Sequence, residues 1–386
     1  MAFNFPDTPT TGQTVTAPTG QFRWDGVKWV LLGPTAYATP SNPNKLLNPF
    51  MEIDQANEGA AVTATGSSRC IDGFYATITS SSATASSQRS TTAPPTGYSF
   101  SLAYTMGTAA SSIAAGDNIQ IFQNIEADDI NDTAFGTANA QPLTFSFWAA
   151  CTVAGTYAVS LRNGAANRSY VSPFTITTAN TWQLFTVTIP GDTAGTWALS
   201  GNAGAMSVVI TLMSGTTYQT SSPNTWLAGI FLAATGITNT FAQTANAVFR
   251  LGPCKLEVGS TATPMLRQSF QQELARCQRY YEKSYPLGTA VGSVFGSGTW
   301  QTQFIAAGAA NYMTCTASYK TTKRATPTVT VYSYTGAANT VAAYQGSWAS
   351  YTGAVGANNM TGHVAYASGP SSATMETYDW VADARL

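Results

Sequence analysis

The stretch WQLFTVTI, residues Trp182–Ile189, places Phe185, Val187 and Ile189 at every second position. This period of two is typical of a β-strand with one buried face. Similar runs, separated by turns rich in Gly, Ser, Thr and Asn, recur across the centre of the chain: LTFSFW (143–148), TYAVSL (156–161), SVVITL (207–212) and VFRLGPCKL (248–256). Many short strands with closely spaced turns predict a jelly-roll β-sandwich over residues 36–262. The absence of a short internal repeat argues against a β-helix.

The last hundred residues show the same kind of pattern. Four runs are strand candidates: TWQTQFI (299–305), TCTASY (314–319), PTVTVYSY (327–334) and HVAY (363–366). They predict a second β-sandwich over residues 286–386.

The N-terminal 35 residues contain a strong hairpin signal, because Asp25-Gly26 stands between two short aromatic-rich runs. An isolated hairpin is only marginally stable in water. We therefore expect Phe22, Trp24 and Trp29 to pack against a partner, either another copy or another protein of an assembly. Gly33-Pro34 and the prolines at 40 and 43 mark a linker.

Residues 263–285 break the β pattern with apolar side chains at helical spacing. The residues that form this stripe are Leu266, Phe270, Leu274, Cys277 and Tyr281. Helix-forming Gln, Glu, Ala and Arg lie between them, and Pro264 and Pro286 suit the two ends. Two interpretations remain open: an amphipathic helix packed on a sheet, or a neck where three copies meet through Leu266, Phe270, Leu274 and Tyr281.

The composition favours a chain that is part of a permanent assembly. Apolar residues make up 44% of the 386 residues, but only 9% are charged, against about 25% in ordinary domains. Such a surface has little electrostatic repulsion to keep copies apart. The net charge of −1 argues against nucleic-acid binding, and no apolar run or N-terminal leader pattern predicts a membrane span or a signal peptide. The five widely spaced cysteines are expected to be small buried hydrophobes.

No pattern of catalytic residues stands out. The single histidine, His363, follows no nucleophile elbow. The acidic cluster of Glu126, Asp128, Asp129 and Asp132 fails the spacing of a calcium loop, so a solvated loop is favoured over a calcium site or a catalytic pair. Three acidic residues near the C-terminus are expected at the surface: Glu376, Asp379 and Asp383. We expect no enzyme activity, no cofactor and no metal.

Aromatic residues are the remaining candidates for ligand binding, and they are concentrated in the C-terminal part of the chain. Tyr344-Gln-Gly-Ser-Trp-Ala-Ser-Tyr351 is expected to be an exposed loop. Aromatic rings on such a loop can stack on sugars or contact proteins. The candidate ligand contacts are Tyr332, Tyr344, Trp348, Tyr351 and His363, with packing in the core or between copies as the alternative.

Four segments resemble parts of bacteriophage tail-fibre and related virion fibre proteins. They are Gly12–Trp29, Asn44–Gln55 with Asp72–Phe74, Leu256–Pro264 with Glu273–Lys283, and Trp380–Leu386. Ser146–Trp148 and Trp182–Trp197 resemble the body of a carbohydrate-binding-like jelly roll. Met265 stands where the fibres usually have an aromatic residue, and Arg385 where they have an acidic or small one.

This resemblance implies a homotrimeric component of a virion. The expected architecture is mainly β: an N-terminal hairpin that attaches to other virion proteins, a jelly roll, a helical neck and a C-terminal sandwich that contacts a host glycan or protein. The alternatives are a polysaccharide depolymerase tip, or a head or baseplate decoration that binds no receptor.

Overall fold

The computed structural model describes residues 5–17, 20–31, 44–80, 82–294, 302–303, 312–368 and 375–386. The chain divides into two compact units, Met1–Asn44 and Lys45–Leu386. Both are built from β-strands, which confirms the predicted fold class. Among the described residues no helix is long and apolar enough to cross a membrane. The predicted linker from Gly33 to Pro43 lies outside the described residues.

The first unit is a three-stranded antiparallel sheet in chain order, formed by β1 (Thr14–Ala17), β2 (Gly20–Trp24) and β3 (Trp29–Leu31). The predicted hairpin joins β2 to β3. Its turn is closed by Asp25, whose Oδ1 accepts hydrogen bonds from the N–H groups of Val27 and Lys28, both at 2.8 Å. Gly26 has a φ of 106°, a conformation that glycine adopts without steric cost.

The predicted jelly roll is present as a two-sheet sandwich. Its strands are β4 (Val62–Thr63), β5 (Ser68–Ile71), β6 (Phe74–Thr79), β7 (Ala85–Ser90), β8 (Ser101–Met106), β9 (Asn118–Glu126), β10 (Leu143–Cys151), β11 (Gly155–Asn163), β12 (Arg168–Ile176), β13 (Gln183–Ile189), β14 (Gly204–Ser214), β15 (Gln219–Thr220), β16 (Trp226–Ala228), β17 (Ala233–Ala234) and β18 (Val248–Val258). One sheet has the order β13-β10-β18-β8-β7-β4 and the other β16-β12-β11-β14-β9-β6-β5, while β15 and β17 form a parallel pair.

The alternation of apolar and polar residues in Trp182–Ile189 decides which side chains of β13 point into the core of this sandwich. Val187 and Ile189 are buried, whereas Leu184 on the opposite face of β13 is 52% exposed. On β10 the same alternation sends Phe145 and Phe147 into the core, and Phe145 lies opposite Val187. Four of the five cysteines, at 70, 151, 254 and 277, are buried as predicted.

The segment predicted as a helix over 263–285 is helical only in α1 (Phe270–Gln278). Ser269 caps it, because its hydroxyl accepts from the N–H of Gln272 while the Gln272 side chain accepts from the N–H of Ser269. Leu274 and Cys277 pack on Ile53 of the sandwich. The helical prediction was therefore wrong at both ends, and the chain continues as a strand immediately after the helix.

The remaining strands follow in chain order: β19 (Tyr281–Lys283), β20 (Thr302–Gln303), β21 (Tyr312–Ser318), β22 (Thr328–Tyr332), β23 (Thr340–Tyr344), β24 (Trp348–Asn358), β25 (Gly362–Ser368), β26 (Met375–Thr377) and β27 (Asp379–Asp383). They form a three-stranded sheet, β19-β27-β22, and a six-stranded sheet, β20-β26-β23-β24-β25-β21. A shared core that includes Val331, Val341, Tyr378 and Trp380 joins the two sheets. Most of the predicted strand 299–305 lies outside the described residues.

Charged pairs join this C-terminal part to the jelly roll. Arg69 of β5 lies 2.7 Å from Asp383 of β27, and Arg279 lies 2.8 Å from Glu126. Residues 45–386 form one compact unit, and the domain limits at 262 and 285 stay predictions.

Candidate functional site

The hairpin between β23 and β24 presents two aromatic rings side by side. Tyr344 and Trp348 are paired across the two strands, and their ring centroids lie 5.4 Å apart in an edge-to-face arrangement. Only Gln345, Gly346 and Ser347 separate them. Gly346 has a φ of 81°, and the N–H of Gln345 donates to the carbonyl of Ser347 at 3.0 Å. The tight turn thus fixes the spacing of the rings.

Tyr334, which follows β22, completes an aromatic group with these two residues. Its ring centroid lies 6.5 Å from that of Trp348, and its hydroxyl donates to the Trp348 carbonyl at 3.4 Å. All three side chains are half-buried. We call Tyr334, Tyr344 and Trp348 the aromatic triad. It is a rigid, partly exposed apolar surface.

A group of hydroxyls lies beside the aromatic triad. Ser350 follows Trp348 on the same face of β24, and its hydroxyl donates to Ser333 Oγ at 3.0 Å. Ser333 also accepts from Thr340 at 2.8 Å and lies 2.9 Å from the hydroxyl of Thr335. Ser350 and Thr335 are exposed, so part of this network faces solvent. The surface therefore offers hydroxyl donors and acceptors next to aromatic faces.

The segment that contains the aromatic triad has no charged residues. No Asp, Glu, Lys or Arg occurs between Ala325 and Met375. A ligand bound there would be held by stacking and neutral hydrogen bonds rather than by ion pairs.

The structure brings only two of the five predicted ligand contacts together. Tyr344 and Trp348 lie in the aromatic triad. Tyr351 is an odd number of residues from Trp348, so it lies on the other face of β24 and packs against the C-terminal core, with its hydroxyl 3.0 Å from Gln345 Oε1. Tyr332 packs edge-to-face on Tyr285, and burial raises its pKa. The predicted loop 344–351 is mostly strand.

His363, a candidate ligand contact with packing in the core as the alternative, is buried in the structure. It is 2% exposed, its Nδ1 lies 3.2 Å from the hydroxyl of Tyr319, and its ring is edge-to-face with Trp380. Burial lowers its pKa to about 4, so the ring is neutral at pH 7. It is a core side chain of the C-terminal sandwich.

The acidic residues are engaged in structural contacts. Glu126 binds Arg279, Asp132 binds Lys45 at 2.5 Å, and Asp128 accepts from the N–H of Gly201 at 2.6 Å. Within the described part of the chain, no group of three or more metal-ligating side chains is placed to hold a metal ion.

Two of the acidic residues predicted at the surface near the C-terminus, Glu376 and Asp379, are buried instead. Burial raises the pKa of Glu376 to about 8 and also raises that of Asp379. Asp383 pairs with Arg69 and with Arg385.

The predicted attachment residues pack against one another in the first unit. In the first unit, Phe22 and Trp29 pack on Phe5 with centroids at 4.9 and 5.3 Å, and Trp24 lies 5.6 Å from Trp29, so these rings bury one another in part.

Of the four predicted neck residues, Leu266 and Phe270 are 48% and 43% exposed. Leu274 is buried against the sandwich, and Tyr281 is buried in β19 under the guanidinium of Arg69. The four residues therefore do not share one face of a helix.

Comparisons with known proteins give distant structural similarity only. No protein-family profile and no curated protein matches the chain. Among solved structures, the enzymatically active domain of tailspike protein 4 from bacteriophage CBA120 aligns with 56% of this chain at 10% identity and a TM-score of 0.29. This chain covers only 22% of that domain's length.

Several carbohydrate-binding modules are also among the similar structures. TmCBM61, solved with β-1,4-galactotriose, aligns with 56% of this chain and 99% of its own at 9% identity and a TM-score of 0.27. The family 11 module from Clostridium thermocellum aligns with 53% of this chain and 98% of its own at 7% identity and a TM-score of 0.28. All three TM-scores lie below 0.5, so these alignments define neither a ligand nor an activity for this chain.

Proposed function

We propose that this chain is a carbohydrate-binding fibre or spike component of a bacteriophage virion, and that it attaches to a host-surface glycan through the aromatic triad. The observation that carries the proposal is the half-exposed surface of Tyr334, Tyr344 and Trp348 beside the hydroxyls of Thr335 and Ser350. Sugars present apolar C–H faces and polar hydroxyls together, and this surface complements both.

The virion setting is supported by the four sequence segments that resemble phage fibre proteins and by the low charge of the chain. We expect the chain to be a homotrimer whose copies meet at the exposed apolar side chains of Leu266 and Phe270. Three weak sites on one particle would gain avidity from their high effective concentration. The first unit would attach to other virion proteins through Phe22, Trp24 and Trp29, beside the exposed Val27.

Two other functions remain as alternatives. A depolymerase needs two carboxyl groups about 5–9.5 Å apart that reach the substrate. Glu376 and Asp379 are buried, and Glu126 is paired with Arg279, so none of these three favours that chemistry. A decoration protein without a receptor would share the fold but bind no glycan.

The test is binding of purified chain to host polysaccharide on a glycan array and by biolayer interferometry. We expect the wild type to bind and Trp348→Ala and Tyr344→Ala to bind at least about tenfold more weakly, since truncating a central aromatic contact costs more than about 1.4 kcal/mol. Tyr98→Ala is the matched control, because Tyr98 is a half-buried aromatic stacked on Phe50 in the jelly roll. A wild type that binds no glycan would contradict the proposal, and release of new reducing ends would favour the depolymerase.

A further inference from the structure

The outer face of the six-stranded jelly-roll sheet carries two tryptophans that meet over Gly252. A Cβ atom at Gly252 would lie 2.9 Å from Trp148 Cβ and 3.1 Å from Trp182 Cζ3, so both side chains pack where only a glycine leaves room. Leu184, which is 52% exposed, pairs with Trp148 across β13 and β10. Both tryptophans are half-buried. We call Trp148, Trp182 and Leu184 the tryptophan patch, and it is a partly exposed apolar surface.

The surrounding chain holds the tryptophan patch in place. The indole N–H of Trp182 donates to the carbonyl of Ala93 at 2.9 Å. A Cβ atom at Gly252 would also lie 2.9 Å from Pro95 Cγ, so the loop that carries Ala93 and Pro95 packs at the same point. The two chain neighbours of Trp148 belong to the core, so the strand keeps its side chain on the outer face. The rings are thus positioned before any ligand binds, which lowers the entropic cost of binding.

Arg250 lies on the same outer face, on strand β18 two positions before Gly252. Its two chain neighbours belong to the core, so its own side chain points outward. In the neighbouring strands it pairs with Ala150 of β10 and with Ala103 of β8. Both of these side chains are small, so no large side chain stands directly across from the guanidinium on either strand.

The positive charge of Arg250 has no counter-charge in the described part of the chain. Arg250 takes part in none of the ion pairs there, and its Nε has no acceptor. Nε is the one nitrogen of this side chain that is shielded from solvent, so the two terminal nitrogens are open to a ligand. A guanidinium stays protonated, and its charge is costly to bury without a partner.

The other charged groups of this sheet already have partners. Glu257 is the only acidic residue in the six strands, and it pairs with Lys255 at 3.0 Å and accepts from the hydroxyl of Thr263 at 2.6 Å. Arg89 donates to the carbonyl of Glu52 at 2.6 Å. The six strands therefore carry three cations and one anion, and the carboxylate of a ligand would complement this excess of positive charge.

We propose that Arg250 and the tryptophan patch bind one hexuronate residue of an acidic polysaccharide. The sugar carboxylate pairs with the terminal nitrogens of Arg250, whose parallel N–H groups match two carboxylate oxygens. A C–H face of the pyranose ring lies against the tryptophan patch. The choice of a saccharide as ligand rests on the proposed function, whereas the requirement for an anion rests on Arg250. This is a second sugar site, separate from the aromatic triad.

Saturation-transfer NMR titrations of the full chain with methyl β-D-glucuronide and methyl β-D-glucoside, each up to about 10 mM, test the proposal. The two ligands differ only at C6, where the first carries the carboxylate. We expect the wild type to bind the glucuronide at least about tenfold more tightly, because the glucoside cannot form the charged pair. Arg250→Gln should bind both ligands equally weakly, and Arg250→Lys should keep part of the preference. Arg162→Gln is the matched control, because Arg162 of β11 in the other sheet also has a shielded Nε without an acceptor among the described residues.

The two sugar sites can fail separately. Trp348→Ala should leave glucuronide binding unchanged while it weakens binding to host polysaccharide. Equal affinities of the wild type for the two ligands, or no binding of the glucuronide, overturn the proposal for Arg250. A preference that persists in Arg250→Gln, or that is lost in Arg162→Gln, overturns it as well. A wild type that binds the glucuronide but no host polysaccharide contradicts the proposed attachment function and leaves the site at Arg250 in place.

Discussion

Arg279 donates two hydrogen bonds to the carboxylate of Glu126, with nitrogen–oxygen distances of 2.8 and 3.1 Å. The pair ties the residue after helix α1 to the last residue of β9 in the jelly roll. Arg69 with Asp383 and Lys283 with Glu58 make comparable links between the jelly roll and the C-terminal part. A chain with only 9% charged residues thus places several of them at one junction.

Loss of the Arg279 side chain should weaken this junction. Glu126 is almost fully buried, so Arg279→Ala leaves a carboxylate with its best partner removed. Because Arg279 itself is partly exposed, we expect a loss of about 1–3 kcal/mol in the free energy of unfolding, measured by urea denaturation. Arg385→Ala, which removes an exposed partner of Asp383, should cost less than about 1 kcal/mol. Equal effects of the two substitutions would contradict this assignment.

Gly215 is required by the close approach of another backbone segment. A Cβ atom at this position would lie 2.1 Å from the carbonyl oxygen of Ala114. Gly215→Ala should therefore destabilise the protein by about 1–3 kcal/mol through the backbone shift it forces. Gly116→Ala, in the adjoining turn, meets no atom within 4 Å and should change the melting temperature little. Equal melting temperatures for Gly215→Ala and Gly116→Ala would contradict this prediction, because the backbone at Ala114 would then move aside at no cost.

Burial of Glu376 predicts a pH-dependent stability. Its pKa rises from 4.5 to about 8 on folding, so the folded state retains a proton that the unfolded chain releases. Its contribution is complete below about pH 4.5 and is lost as the pH rises to 8. Relative to the wild type, Glu376→Gln should become progressively more stable between pH 5 and about 8, as measured by thermal unfolding. A constant difference across this range would show that the carboxyl ionises normally.

Periodicity in the sequence predicted the two sandwiches well, because each sheet has one buried face. It failed at Tyr281, which continues the helical spacing of Leu274 and Cys277. Pairing of Tyr281 with Asp383 across β19 and β27 overrides that local preference. The links between Glu126 and Arg279 and between Arg69 and Asp383 join residues 153 and 314 positions apart, and no local pattern encodes them.

The candidate site was predictable only in part. The aromatic-rich stretch identified Tyr344 and Trp348, and the hairpin register shows why they meet. Tyr351 lies on the opposite face of β24 from Trp348, because the expected loop is mostly strand, where side chains alternate between faces. The absence of charged residues between Ala325 and Met375 is visible in the sequence and could have indicated the uncharged surface around these rings.

Self-association should depend on the apolar side chains left exposed near helix α1. Leu266→Ser with Phe270→Ser replaces two side chains that are 48% and 43% exposed, so the fold should be retained while the proposed trimer dissociates. Multi-angle light scattering measures the mass directly. Leu184→Ser is the control, because Leu184 is equally exposed on β13 and should leave the mass unchanged. A wild-type monomer at micromolar concentration would contradict the proposed assembly.

The most direct measurement is the affinity of the intact chain for host polysaccharide before and after Trp348→Ala, with circular dichroism to confirm that both proteins are folded. Glycan attachment through the aromatic triad predicts binding by the wild type and a loss of at least about tenfold in the variant. Equal binding by the two folded proteins, or no binding by the wild type, would contradict it.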